Sequence, residues 1–353
     1  MTVMISRQRP ILIWGAGAIG ASLGAAFVAA GYPVVFVDRE QAHVDAMNHD
    51  GLYIEGPIRE QHLAVRAYTP DDLQGCYEWV FLAVKAHHTA IACRQLRPFL
   101  ADDGVVVSAQ NGLNEQVIAG VLRRERTLGC FVNFGADYLS PGHILYGGRA
   151  AVVVGELDGQ SSARVRQIHA LLQTFDDRAI LTDNIWGYLW GKLVYGAMLY
   201  ATALTDGAIC ECLDHQDYRD VFILLGKEIA AVASAEQVVM EAFDGFEPAA
   251  YLPDAPLSLA YASLDAMAAH NRRSTKTHSG IWRDLAVRRR KTEVDAQLGP
   301  ILDAAQRHGI AAPLTHRLIE LIHACEDGLP RAWGNLKVLR AAAQRSRRYA
   351  DKV

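Results

Sequence analysis

Five residues, Pro10-Ile11-Leu12-Ile13-Trp14, form an apolar run that ends directly on Gly15-Ala16-Gly17-Ala18-Ile19-Gly20. Such a run predicts a strand covered on both faces, as in a parallel sheet. Ala21 to Ala30 reads as a helix ended by Gly31-Tyr32-Pro33, and Val34 to Val37 as a second strand closed by Asp38, eighteen positions beyond Gly20. A lone G-x-G-x-x-G carries little weight. Set between a strand and a helix, and followed by an acid, it predicts a dinucleotide-binding turn. Gly15 permits the tight turn, Gly17 lets the backbone approach a pyrophosphate, and Gly20 lets helix and strand pack closely. Ala18 and Ile19 lie in the same turn, and the N-terminus of the helix that follows would hold the anion. Asp38 would bond the ribose hydroxyls of NAD, whereas Arg39 would meet the 2′-phosphate of NADP or lie solvated in a loop. The sequence leaves both cofactors open.

After a less regular stretch the α/β alternation resumes. Trp79 to Val84 predicts a buried strand ending in Lys85, and Val105 to Ser108 another ending in Gln110-Asn111-Gly112. Ligands of open α/β sheets bind beyond the carboxyl ends of the strands. Lys85 is therefore placed to hold a ribose or phosphate oxygen, and Asn111 to hydrogen-bond near nicotinamide and substrate, although Asn-Gly also makes an ordinary turn. Leu128 to Phe134 and Ala150 to Val154 predict further strands, the second entered by a hairpin through His143 to Gly148. Ala163 to Phe175 reads as an amphipathic helix, and Ala179 to Asn184 as a bridge to a second domain. The expected organisation is an α/β Rossmann domain over 1–183 and an all-α domain over 184–353. Helical spacing runs through 218–243, 257–270, 293–309 and 314–326, while Phe243 to Pro256 reads as a loop. The basic stretch Lys337 to Lys352 reads as a solvated helix end.

Composition narrows the partners. At 353 residues the chain exceeds one ordinary core. A net charge of -4 and a pI near 6.3 give no general basic field, so neither nucleic acid nor a membrane surface is expected as a partner. No apolar run reaches the ~18 to 20 residues of a membrane helix, and the N-terminus shows no signal-peptide pattern. Six scattered cysteines without metal-type spacing suggest reduced thiols in a cytoplasm and no metal. The helical half could offer a homodimer face, though nothing in the composition requires one.

Trp186 to Asp206 holds one lysine, Lys192, in a helical run of Trp, Leu, Tyr, Val, Met and Ala. An ammonium against apolar neighbours loses hydration and gives up its proton more readily. The ordinary alternative is a lysine that snorkels to water. Further on stand His278 to Leu285, the basic cluster Arg288-Arg289-Arg290-Lys291, which reads as solvated surface, and Thr292-Glu293-Val294-Asp295.

Taken in order, Gly15 to Gly20, Val84-Lys85, Gln110 to Gly112, Trp190-x-Lys192, Thr202 to Leu204, Ser279 to Asp284 and Thr292-Glu293-x-Asp295 resemble the ketopantoate reductase (2-dehydropantoate 2-reductase) family, from about residue 10 to 330. The resemblance implies a Rossmann domain binding NADPH, a 6-phosphogluconate-dehydrogenase-like helical domain supplying a catalytic lysine, and a small 2-keto acid bound by both. It makes Lys192 the general acid, Ser279 the partner of the substrate carboxylate, Glu293 the acceptor of a substrate hydroxyl, and Asn111 a holder of substrate beside the nicotinamide. Two departures stand out. Gly196 and Tyr200 replace two asparagines that contact substrate in the family, which makes Tyr200 a substrate-binding candidate. One residue more than usual separates Asp284 from Glu293. A dehydrogenase of another keto or hydroxy acid, and a non-catalytic dinucleotide sensor, remain as alternatives.

Overall fold

The computed structural model describes residues 5–273 and 277–350. It divides into two compact units, Met1–Ile185 and Trp186–Val353.

The first unit begins β1 (Ile11–Trp14), α1 (Ala18–Ala29), β2 (Val34–Val37), α2 (Gln41–His49), β3 (Leu52–Glu55), β4 (Gln61–Leu63), β5 (Arg66–Tyr68) and β6 (Tyr77–Leu82). It continues with α3 (Thr89–Leu96), β7 (Leu100–Ser108), α4 (Asn114–Leu122), β8 (Thr127–Val132), β9 (Gly135–Ser140), β10 (His143–Gly148), β11 (Val152–Glu156), α5 (Ala163–Phe175) and β12 (Ile180–Leu181). Eight strands form the main sheet in the order β5-β2-β1-β6-β7-β8-β11-β12. The strands from β5 to β8 run parallel, and β11 joins β8 antiparallel. Alternate residues of β1 feed opposite faces: Ile11 and Ile13 join one apolar cluster with Phe36 and Phe81, while Leu12 and Trp14 join another with Val80 and Leu82. That two-sided burial is why β1 reads as an unbroken apolar run. Each such fully buried side chain contributes roughly 1.5–3 kcal/mol.

A second sheet, β4-β3-β10-β9, has no counterpart in the sequence reading. Its strands are short and only partly buried, so they lack the apolar run that marks β1. The expected hairpin through 143–148 is real but pairs in the other direction: β10 runs antiparallel to β9, through the turn at Pro141-Gly142, whereas β11 belongs to the main sheet. Nor is 179–184 a plain bridge, because β12 within it pairs with β11.

The second unit is helical: α6 (Ile185–Thr202), α7 (Ile209–Asp214), α8 (Arg219–Ala235), α9 (Leu257–Arg273), α10 (Gly280–Ala286), α11 (Val294–Arg307), α12 (Pro313–Glu326) and α13 (Trp333–Ala350). α8 lies at its centre, in contact with α7, α9, α11, α12 and α13. On its buried face Glu228 accepts from the Leu314 and Thr315 N–H groups at 3.0 and 2.7 Å, capping α12. α8 stops well before residue 243, where Gln237 turns to φ +60°. The basic C-terminal stretch is not wholly solvated, since Arg340 pairs with Asp220 at 2.7 Å; residues 351–353 lie outside the described residues.

Candidate active site

In the first unit the glycine turn follows β1 without a break. Gly15 takes φ +99°, where a Cβ would also stand 2.8 Å from the Ala83 carbonyl carbon. The Gly15 and Ala16 N–H groups donate to the Val37 carbonyl at 2.8 and 3.1 Å, tying the turn to the end of β2. A Cβ at Gly20 would lie 2.1 Å from the Gly15 oxygen, so turn and helix meet there only through a residue without a side chain. Gly17 is different. Nothing stands within 4 Å of a Cβ built on it, it is the N-cap of α1 without a capping side chain, and the first turn carries no acid. The first N–H groups of α1, with half-buried Ala18 and Ile19, therefore offer an open anion-binding end.

The ends of β2, β6 and β7 complete the same edge. Asp38 is half-buried after β2, its carboxylate accepting from the Glu40 N–H at 3.1 Å. Exposed Arg39 donates to Glu40 at 3.0 Å and reaches His88 Nε2 at 3.2 Å, so it is engaged and not simply solvated. Lys85 is exposed after β6. Behind Asn111 runs a buried chain of polar groups that sequence reasoning missed. Gln110 donates to the Val84 carbonyl and to Thr89 Oγ1, both at 2.8 Å; Thr89 donates to Asn114 at 2.7 Å; Asn114 donates to the Asn111 carbonyl at 2.6 Å. This chain fixes the loops after β6 and β7 to each other and leaves the Asn111 side chain exposed. The only hint in the sequence was Gln110 beside Asn111, since Thr89 and Asn114 sit in helices whose spacing reveals nothing polar. Under the same loop Glu115 is fully buried, and burial pushes its carboxyl up to about 8. The neighbouring Ser108 hydroxyl and the Glu115 backbone N–H offset only part of that burial cost.

In the second unit α6 presents one half-buried stripe, Tyr188, Lys192, Tyr195, Gly196 and Leu199, while Leu189, Leu193, Ala197 and Met198 are buried. The i, i+3/i+4 spacing makes this a single face. Lys192 is its only charged residue. One turn further, Gly196 has nothing within 4 Å of a built Cβ, so the lysine stands beside open space. Tyr195 is backed by Phe243 and Phe246, with ring centroids at 6.1 and 5.5 Å.

The other candidates lie off that stripe. Tyr200 is 1% exposed, and its hydroxyl has no hydrogen-bond partner among the described residues. Burial pushes this phenol well above its ordinary value of 10, with the carboxylates of Glu293, Asp284, Glu326 and Asp295 adding to the effect. The ring is thus within the electrostatic field of Glu293, which is itself 8% exposed just before α11. Ser279 is 2% exposed and caps α10, accepting from the Trp282 N–H at 3.1 Å while keeping its own proton to donate. The basic cluster is exposed, as its composition suggests, but two of its members are also tied down. Arg288 and Arg290 both bond buried Asp284, at 3.0 and 2.9 Å, and Arg289 between them swings to φ +49°. Thr292 is held by Glu326, through its N–H and its hydroxyl, both at 2.7 Å.

A glycine turn open to an anion after an inner strand of a parallel sheet, carried with a helical unit whose half-buried apolar stripe holds one lysine, defines a two-unit dinucleotide-dependent oxidoreductase. The comparisons make this specific. Residues 11–159 match the family model "Ketopantoate reductase PanE/ApbA", and 184–326 match its C-terminal companion. The 2-dehydropantoate 2-reductase of Archaeoglobus fulgidus is 30% identical over 92% of this chain and all of that protein, and that of Halobacterium salinarum 25% identical over 90% and 99%. A PanE/ApbA family ketopantoate reductase structure from Ralstonia eutropha superposes with a TM-score of 0.76 at 25% identity, covering 90% of this chain and 98% of that one. D-mandelate dehydrogenase, solved with NADH and anilino(oxo)acetate, shares the fold at a TM-score of 0.78 and 21% identity over 90% and 98%. The chain belongs to the ketopantoate reductase family and is an oxidoreductase of that type. No described helix is long and apolar enough to cross a membrane.

Proposed function

We propose that this chain reduces a small 2-keto acid to the 2-hydroxy acid, 2-dehydropantoate to pantoate, in the cytoplasm, with NADPH as the reductant. The observation that carries the reading is Lys192: the one charged residue of a half-buried apolar stripe, in a chain that also builds an open glycine turn. Residues 1–183 hold the dinucleotide and 184–353 the acid. The turn at Gly15, Gly17 and Gly20, with Ala18 and Ile19, fits a pyrophosphate, because a side chain would close it at Gly15 and Gly20 and space is left at Gly17. Lys85 and Asn111 reach from neighbouring strand ends, and Arg39 beside Asp38 favours the 2′-phosphate of NADP over NAD. When bound, the reduced nicotinamide supplies hydride.

The protein's own part is charge and a proton. Hydride arriving at the carbonyl carbon builds negative charge on the carbonyl oxygen, and the Lys192 ammonium stabilises that charge and donates the proton. Ser279 donates to the substrate carboxylate, Glu293 accepts from a substrate hydroxyl, and Tyr200 supports Glu293 from beneath. Where a second amide would stand one turn after Lys192, Gly196 leaves space, which favours a second reading: the same chemistry on a bulkier 2-keto acid. The test is oxidation of NADPH and NADH, followed by absorbance, with 2-dehydropantoate and a panel of 2-keto acids. Turnover with 2-dehydropantoate supports the first reading, and turnover confined to larger acids supports the second. Tight dinucleotide binding without turnover of any acid would leave only a sensor.

A further inference from the structure

We propose that His43 is a positioning residue for the dinucleotide, holding the Ala16 carbonyl so that the Gly17 N–H faces the pyrophosphate; this rests on the reading that the glycine turn binds one. His43 is 1% exposed on the inner face of α2. Its Nε2 lies 2.8 Å from the Ala16 oxygen, and a carbonyl can only accept, so Nε2 carries the proton. Its Nδ1 lies 2.9 Å from the Gly142 nitrogen, whose N–H can only donate, so Nδ1 carries none. Both partners together define one neutral tautomer. The Ala16 oxygen and the Gly17 N–H are opposite ends of one planar trans peptide and point in opposite directions. Holding the first inward turns the second outward, over the open space beside Gly17.

That peptide joins Ala16 to Gly17, and the glycine on its N–H side carries no side chain to restrict φ, so without a hold it turns more easily and dinucleotide binding would have to freeze it. The imidazole is itself backed by the second sheet. Gly142, at φ +73° in the β9–β10 turn, accepts from the Tyr53 N–H at 2.8 Å, and the Tyr138 ring meets the imidazole edge-on at 5.1 Å. The small sheet thereby has a part in the site that its distance along the sequence conceals.

Two amides separate the two bonds. His43→Asn keeps an acceptor near Nδ1 and loses the donor to Ala16, whereas His43→Gln keeps a donor near Nε2 and loses the acceptor. NADPH is titrated into the full chain by quenching of tryptophan fluorescence, with thermal midpoints and steady-state kinetics alongside. His43→Asn should weaken binding roughly tenfold, the loss falling on the dinucleotide KM and not on kcat, while His43→Gln stays within about threefold of wild type even where its midpoint falls. Wild-type affinity in His43→Asn, or equal losses in both variants, would reduce His43 to packing and overturn the proposal. A wild-type chain that binds neither NADPH nor NADH would instead remove the dinucleotide reading, and this inference with it.

Discussion

The glycine edge of the first unit and the lysine helix of the second are built by different means. The edge consists mostly of backbone: strand ends, a turn and a helix N-terminus, each set by residues within a few positions. The candidate site on the helical unit consists of side chains from α6, α10 and the start of α11, with Asp284 and Glu293 acting electrostatically on Tyr200 from some ninety residues further along the chain. A backbone site survives substitutions that respect its glycines. A side-chain site depends on packing that no local pattern records, and this contrast can be broken experimentally.

The largest effect belongs to Lys192. Lys192→Ala removes the proposed proton donor and the charge proposed to face the carbonyl oxygen, and kcat should fall ~10²- to 10⁴-fold. Dinucleotide affinity, measured by fluorescence titration, should stay at the wild-type value, because the glycine edge contains no part of α6. A joint loss of affinity and rate would show that the two sites are not separate in the way their construction suggests.

Glu115 tests the opposite point, that the backbone edge also hides a side-chain device. Its carboxyl ordinarily loses its proton near 4.5 but in the folded chain holds it to about 8, because burial disfavours the charge. The folded state thus keeps a proton that the unfolded state has lost. The stabilisation is complete below about 4.5 and is lost as pH rises through about 8, a decline of a few kcal/mol. Glu115→Gln carries a neutral amide at every pH and should flatten the decline in urea midpoints between those limits. A wild-type curve already flat over that range would mean that the carboxylate finds hydration or a partner.

How much could be read from the chain follows the same division. β1, the glycine turn, Asp38 and the strand ends at Lys85 and Asn111 were legible, because one apolar run and one glycine spacing specify them. The second sheet was not, because strands such as Gln61–Leu63 are too short and too exposed to show a pattern. The basic cluster is solvated as its composition suggests, but its ion pairs were not legible, for a related reason. Four adjacent cations look solvated from composition, and only the fold reveals that Arg288 and Arg290 converge on buried Asp284.

That convergence gives an intermediate effect. Asp284→Asn keeps the volume and removes the charge to which both arginines are bonded. Each guanidinium is partly exposed, so water recovers some of the loss, and a decrease of about 1–3 kcal/mol in unfolding free energy is expected from denaturant melts. The substrate KM should rise with it, because the loop from Asp284 to Glu293 is held by these bonds, whereas NADPH affinity should not move. A KM unchanged at lowered stability would mean that the loop's geometry does not set the aim of Glu293.

The smallest effect is the most discriminating. Tyr200→Phe deletes a buried hydroxyl that has no hydrogen-bond partner among the described residues and is surrounded by the field of several carboxylates. Removing an unsatisfied polar group relieves a desolvation cost, so the variant should be as stable as wild type or more stable by up to about 1 kcal/mol. If Tyr200 only supports Glu293 from below, kcat/KM for the preferred 2-keto acid should remain within about twofold, a change below 0.5 kcal/mol. If the phenol instead bonds substrate, the same substitution leaves a substrate group unpaired, and kcat/KM should drop tenfold or more while stability stays level. The two readouts move in opposite senses. One conservative variant therefore decides whether residue 200 shapes the pocket by its bulk or touches the acid with its oxygen.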